Sequence, residues 1–203
     1  MTEATRDLQR LADLAASLRP RFTPEKPLPR LLFLTDPART PDLEPLVERL
    51  GAGWGVIYRA FGAEDAVAVG RRLRAITRAR GLPLLIGADP DLARACEADG
   101  LHLPERLVGL TTGQPGWIVT AAAHSLDAVL RAQAAGCDAV LASPVFPSAS
   151  PSAGAALGVE AFTALVADSP LPVYALGGVN MKTAPKLLSS GAAGLAMIGA
   201  VAA

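Results

Sequence analysis

No excess of charge of either sign marks this 203-residue chain: 19 Lys and Arg offset 19 Asp and Glu. A nucleic-acid-binding surface needs a basic face, and nothing in the sequence supplies one. Cysteine is nearly absent. Cys96 and Cys137 lie in separate segments without CxxC spacing, so we expect small buried hydrophobes in a reducing cytoplasm rather than a disulfide or a metal site. No uninterrupted apolar run reaches the length of a membrane span. The start, with Thr2, Glu3, Arg6 and Asp7, does not read as a signal peptide. The chain therefore reads as cytoplasmic, with neither membrane nor nucleic acid as a partner. There is no Walker loop, no Gly-x-Gly-x-x-Gly and no nucleophile elbow. Asp89 and Asp91 stand close together, but at the start of a helix that pair is an N-cap signal, and no metal constellation emerges.

What is present is a regular alternation. Hydrophobic residues reach 51%, with Ala and Gly supplying much of it, which is ample for one full core. Eight short apolar runs read as strands: Leu31–Leu34, Gly55–Tyr58, Leu84–Ile86, Gly100–Leu103, Trp117–Ala121, Ala139–Ala142, Val173–Leu176 and Leu195–Ile198. Helical stretches fall between most of them, including Pro41–Leu50, Ala63–Arg80, Asp89–Glu97, Ser125–Ala135, Val159–Ala167 and Lys182–Ser190. The strands are apolar throughout instead of alternating, as strands buried on both faces are. An α/β fold follows, a (β/α)8 TIM barrel over residues 31–203, with an open doubly wound sheet as the rival. Leu8, Leu11, Ala15 and Leu18 recur at helical spacing. Residues 1–30 are thus expected to form an extra N-terminal amphipathic helix and a surface loop. The chain ends almost where an eighth helix would begin, so the last helix is expected truncated or missing. The N-terminal helix could cover the wall left bare; packing on the barrel floor or against a second subunit are the alternatives.

Two apolar runs stop at glycine: Ala175-Leu176-Gly177-Gly178-Val179 and Met197-Ile198-Gly199-Ala200. After the last two strands of a barrel such turns form a phosphate cradle, because Gly allows main-chain N–H groups close to an anion. Gly177, Gly178, Gly199 and Ala200 are the expected phosphate-binding positions. There are two histidines. His102 ends strand four, and His124 lies just past strand five; both fall at the C-terminal rim where barrel active sites are built, and either could move a proton. His102 reads equally as a strand-end residue satisfied by backbone, and His124 alternatively as a helix cap. Arg59, ending strand two, could grip a carboxylate or phosphate or form a surface ion pair. Asp36, before Pro37, suits a turn cap. Ser143 to Gly158 reads as a long small-residue loop, either a lid or a plain connector.

These pieces together resemble the superfamily of thiamine-phosphate synthase and its relative TenI, the thiazole tautomerase. The resemblance runs from about Leu31 to Ala200, through Leu32-Phe33-Leu34-Thr35-Asp36, Ala98-Asp99-Gly100-Leu101-His102, His124-Ser125-Leu126-Asp127, Gly136-Cys137-Asp138-Ala139-Val140, Ser143-Pro144-Val145-Phe146-Pro147 and Ala175-Leu176-Gly177-Gly178-Val179. It implies the barrel, a small phosphorylated thiazole as ligand, and a homodimer as the partner to consider. The synthase branch joins a pyrimidine pyrophosphate to a thiazole phosphate with Mg²⁺. Of that branch's Gln-x-Arg-x-Lys run, only Arg59 remains, between Ile57 and Phe61. Its Asn-Asp pair corresponds to Gly87-Ala88, and its second metal carboxylate to Leu107. Its Thr-x-Thr-Lys loop corresponds to Ser148-Ala149-Ser150-Pro151, so Ser148 and Ser150 keep hydroxyls for substrate while the lysine is lost. A departing pyrophosphate needs cations to offset its developing charge, and most of those residues are replaced.

The tautomerase branch moves a proton on a carboxylated thiazole phosphate and implies no metal or other cofactor. By that resemblance His124 is the general acid/base, His102 an assistant, Arg59 the carboxylate clamp and the glycine turns the phosphate anchor. Two hydroxyls expected there are missing, at Ala122 and Gly199. The expected function is therefore tautomerase-type proton transfer. A divergent Mg²⁺-dependent synthase is the second reading, and a ligand-binding descendant without turnover the third.

Overall fold

A computed structural model describes residues 3–22, 24–110, 114–148 and 154–201. Its eight strands are β1 (Leu31–Leu34), β2 (Trp54–Tyr58), β3 (Leu84–Gly87), β4 (Gly100–Leu103), β5 (Ile118–Ala123), β6 (Ala139–Ala142), β7 (Val173–Ala175) and β8 (Gly194–Met197). Each pairs in parallel with the next, and β8 pairs back to β1, Leu31 beside Leu195 and Phe33 beside Met197. The sheet closes on itself, so the open-sheet alternative falls.

Alternate residues of each strand face inward. Leu32, Leu34, Ile57, Leu85, Leu141, Tyr174 and Ala196 pack inside the cylinder. The other parity, with Phe33, Val56, Ile86, Leu101, Val140 and Leu195, joins the larger cluster shared with the helices. This two-sided burial is why the strands lack polar alternation. Inside, space is short. A Cβ on Gly100 would fall on the Ile118 carbonyl of the adjoining strand, so the barrel closes there only around glycine.

The outer helices are α1 (Glu3–Ala16), α2 (Leu43–Glu48), α3 (Ala66–Ala79), α4 (Pro90–Ala95), α5 (Leu126–Ala134) and α6 (Gly158–Asp168). Where a helix was expected over Lys182–Ser190, the chain instead makes a single 3₁₀ turn, Ala184–Leu187. The segment closes on i→i−3 bonds, Lys186 N to Thr183 O at 3.1 Å, Leu188 N to Pro185 O at 3.4 Å and Ser190 N to Leu187 O at 3.0 Å, the tighter 3₁₀ pattern. After β8 the described residues make another 3₁₀ turn, Gly199–Val201.

The N-terminal helix lies against the Ala184–Leu187 turn, with Leu8, Leu11, Ala15 and Leu18 buried in the outer cluster. It thus covers wall where the local helices are reduced to single turns. The segment after it closes the floor. Tyr174 of the barrel interior donates from its hydroxyl to the Pro29 carbonyl. Lys26 donates to the Trp117 carbonyl and pairs with Asp138, and Leu28 packs on the inner cluster. With floor and wall sealed, the C-terminal mouth is what remains open.

Candidate active site

A cavity of about 900 Å³ occupies that mouth. Among the described residues its titratable lining comprises Arg59, Arg106, His102, His124 and a single carboxylate, Asp89. Asp89 Oδ1 accepts the Leu92 amide at 2.8 Å as the cap of α4, so its charge serves a helix end. The remaining polar lining is cationic or neutral, which suits an anionic ligand.

His124 follows β5 by one residue. The helix-cap role falls to its neighbour, Ser125, whose Oγ accepts the Ala128 amide at 3.2 Å. His124 is thereby left to the cavity. Its Nδ1 lies 2.6 Å from the Ser143 carbonyl oxygen at the end of β6. A carbonyl can only accept, so Nδ1 carries the hydrogen and Nε2 keeps its lone pair. The ring is exposed at the mouth.

His102 sits deeper. It lies two residues beyond Gly100 and faces inward, 7% exposed, with Nδ1 2.9 Å from Thr120 Oγ1 on β5. The parallel register puts His102 directly beside Thr120. Burial first, and the nearby Arg59 charge second, push its pKa down to about 4, which keeps the imidazole neutral at physiological pH.

Arg59 continues the inward parity of β2 past Ile57. Its Nε donates to the Thr35 carbonyl at 2.7 Å, its amide to Thr35 Oγ1 at 2.9 Å, and Nη2 reaches Asp36 Oδ2 at 3.3 Å. Burial lowers the guanidinium's pKa while Asp36 opposes that shift. Asp36 also accepts the amides of Ala38 and Arg39 and the Arg39 guanidinium. Its own pKa is held below the usual carboxylate value, chiefly by the Arg39 hydrogen bond. Asp36 therefore caps its turn, as expected, and also steers Arg59.

Gly177 and Gly178 adopt φ of 90° and 65°, open to glycine at little cost. A Cβ on Gly177 would sit 2.7 Å from Pro144 Cα, and one on Gly178 would sit 2.6 Å from the Pro147 oxygen. The turn is clamped from its carbonyl side: Val145 N donates to Leu176 O, Phe146 N to Gly177 O, and Thr183 Oγ1 to Gly178 O. Among the described residues, no protein acceptor meets the amides of Gly177 and Gly178.

The structure thus brings Arg59, His102, His124, Ser148 and Gly177 to one cavity. Gly178 lies behind Phe146 and Pro147. Gly199 and Ala200 form the turn immediately above Ile198, which does line the cavity. Ser150 and the centre of the expected lid, 149–153, lie outside the described residues. Sequence reasoning passed over Arg106, Thr120 and the Ser143 carbonyl. Arg106 had the signal of a rim position just past β4. The other two act through cross-strand register, which no local pattern reveals.

Residues 31–201 match the family model described as thiamine monophosphate synthase. The chain is similar to the thiamine-phosphate synthase of Chlorobium luteolum, 32% identical over 180 residues that cover 85% of this chain and 85% of that protein. It is also 32% identical over 147 residues to the bifunctional thiamine biosynthesis protein ThiED of Geobacter sulfurreducens. That match takes in 68% of this chain but only 29% of that longer protein. Among solved structures, thiamine phosphate pyrophosphorylase from Pyrococcus furiosus superposes with a TM-score of 0.73 at 29% identity, covering 86% of this chain and 88% of that one.

Proposed function

The chain belongs to the thiamine monophosphate synthase family, and within it we propose that it binds a thiazole phosphate and transfers a proton on that ring, as a tautomerase serving thiamin biosynthesis. One observation carries this reading: the Ser143 carbonyl holds His124 Nδ1–H at 2.6 Å, leaving Nε2 as a base on the wall of an anion-suited cavity.

In the proposed reaction Nε2 takes a proton from the non-aromatic carboxythiazole phosphate. The imidazolium that forms is stabilised by the Ser143 carbonyl, which already accepts its other N–H. The same nitrogen returns the proton to the exocyclic carbon at the far end of the conjugated system, and the double bond moves into the ring to make it aromatic. The free amide at Gly177, on the cavity wall, binds a phosphate oxygen. Arg59, aimed by Thr35 and Asp36, holds the carboxylate. Buried, neutral His102 supplies a hydrogen bond and no charge. Because the only carboxylate on the described lining is engaged in capping α4, the reading assigns no role to a metal ion.

The names of the relatives favour a second reading, Mg²⁺-dependent synthesis of thiamine phosphate from a pyrimidine pyrophosphate and a thiazole phosphate. The two are separated by following solvent deuterium into carboxythiazole phosphate by NMR. Wild-type protein is expected to exchange and aromatise it without added Mg²⁺, and His124→Ala to lose at least about 100-fold in rate with binding retained. Thiamine phosphate made only with Mg²⁺ and both substrates, with no exchange, would establish the synthase instead. An unchanged rate in His124→Ala would remove the histidine from the chemistry and leave a binding protein.

A further inference from the structure

The cavity mouth carries one side chain that neither folding nor solubility accounts for. Phe61 is 69% exposed, yet it lines the cavity. Its backbone lies in the left-handed region, φ 50°, which a bulky residue enters only at a cost. Gly62 follows at φ 78°, so the chain reverses immediately after β2. That reversal sets the Phe61 ring against Arg59, whose guanidinium carbon lies 5.1 Å from the ring centroid. On the neighbouring strand end Ala88, also lining the cavity, is left-handed as well, φ 66°. Strained backbone at two adjoining rim positions, one of them holding an aromatic ring out of the core, concentrates at the site what the fold would otherwise avoid.

We propose that Phe61 is a stacking platform, a specificity-determining residue that makes the cavity select a planar conjugated ring bearing a phosphate over an aliphatic phosphate. The inference rests on the phosphate-binding reading of the cavity and adds the side chain that selects the ring. Arg59 keeps the Phe61 ring in place by a cation–π contact. An aromatic ligand then packs offset or edge-on against the ring's remaining exposed surface.

The test is calorimetric titration of the full chain with phenyl phosphate and with glycerol phosphate. Wild-type protein is expected to prefer phenyl phosphate. Phe61→Leu weakens phenyl phosphate about five-fold, the scale of one aromatic stack, and leaves glycerol phosphate unchanged, while Phe61→Trp keeps the preference. Phe61→Gly relieves the left-handed strain, so it raises the melting temperature while losing the preference. A wild type without preference, or a Phe61→Leu variant that weakens both ligands alike, overturns the proposal. Loss of the preference in Phe61→Trp as in Phe61→Leu does the same. The reaction proposed above fails separately: a Phe61-dependent preference in a protein that never exchanges deuterium into carboxythiazole phosphate upholds the platform and removes the tautomerase.

Discussion

Of the two imidazoles, one is bound at the surface through a main-chain carbonyl and the other is buried against a hydroxyl, and burial dictates how the second responds to pH. His102 is held neutral, its pKa near 4 against 6.5 when free. The unfolded chain therefore binds more protons than the folded one between those values. Stability from this group is whole above pH 6.5 and declines as pH falls towards 4, by about 3 kcal/mol in total. Urea unfolding followed from pH 7 to 4 is expected to show that decline in wild-type protein and to show it flattened in His102→Gln. That both histidines and Arg59 meet at the rim cavity was legible from their place at strand ends. Their division of labour was not. It depends on Ser143 and Thr120, 19 and 18 residues away along the chain and adjacent only across the sheet.

Among the elements, α1 shows most clearly how pattern becomes packing. The spacing of Leu8, Leu11, Ala15 and Leu18 announces an apolar stripe, and all four are buried. The stripe does not say what it meets, and the structure sets it against the short Ala184–Leu187 turn. Leu11 is 1% exposed, so Leu11→Ala is expected to lower unfolding free energy by about 3 kcal/mol, as buried leucine truncations do, measured by chemical denaturation. A loss below about 1 kcal/mol would mean the helix is docked loosely. The failed helix over Lys182–Ser190 teaches the converse. Its composition permits a helix, but the chain closes on i→i−3 bonds from Lys186 to Ser190. The choice between that spacing and i→i−4 is one that periodicity over so short a stretch does not encode.

At the scale of the whole molecule, closure is the decisive event, because it gathers eight strand ends into one rim. It depends on tight spots such as Gly100. Gly100→Ala is expected to destabilise by about 3 kcal/mol through collision with the β5 backbone. Gly51→Ala, where an added methyl meets nothing within 4 Å, should stay within about 0.5 kcal/mol of wild type. Equal melting temperatures for the two variants would show that the barrel yields at β4. The sequence by itself determined the eight strands, their two-sided burial, the barrel class, the amphipathic first helix and the rim position of the site residues, because hydrophobic period and glycine punctuation are local. Only the tertiary structure decided which histidine is buried, that Asp36 and Thr35 aim Arg59, that Arg106 and Phe61 join the same cavity, and that the strap after α1 seals the floor. Those facts arise from register and ring closure, where residues far apart in the chain come within hydrogen-bonding distance and local preference has nothing to say.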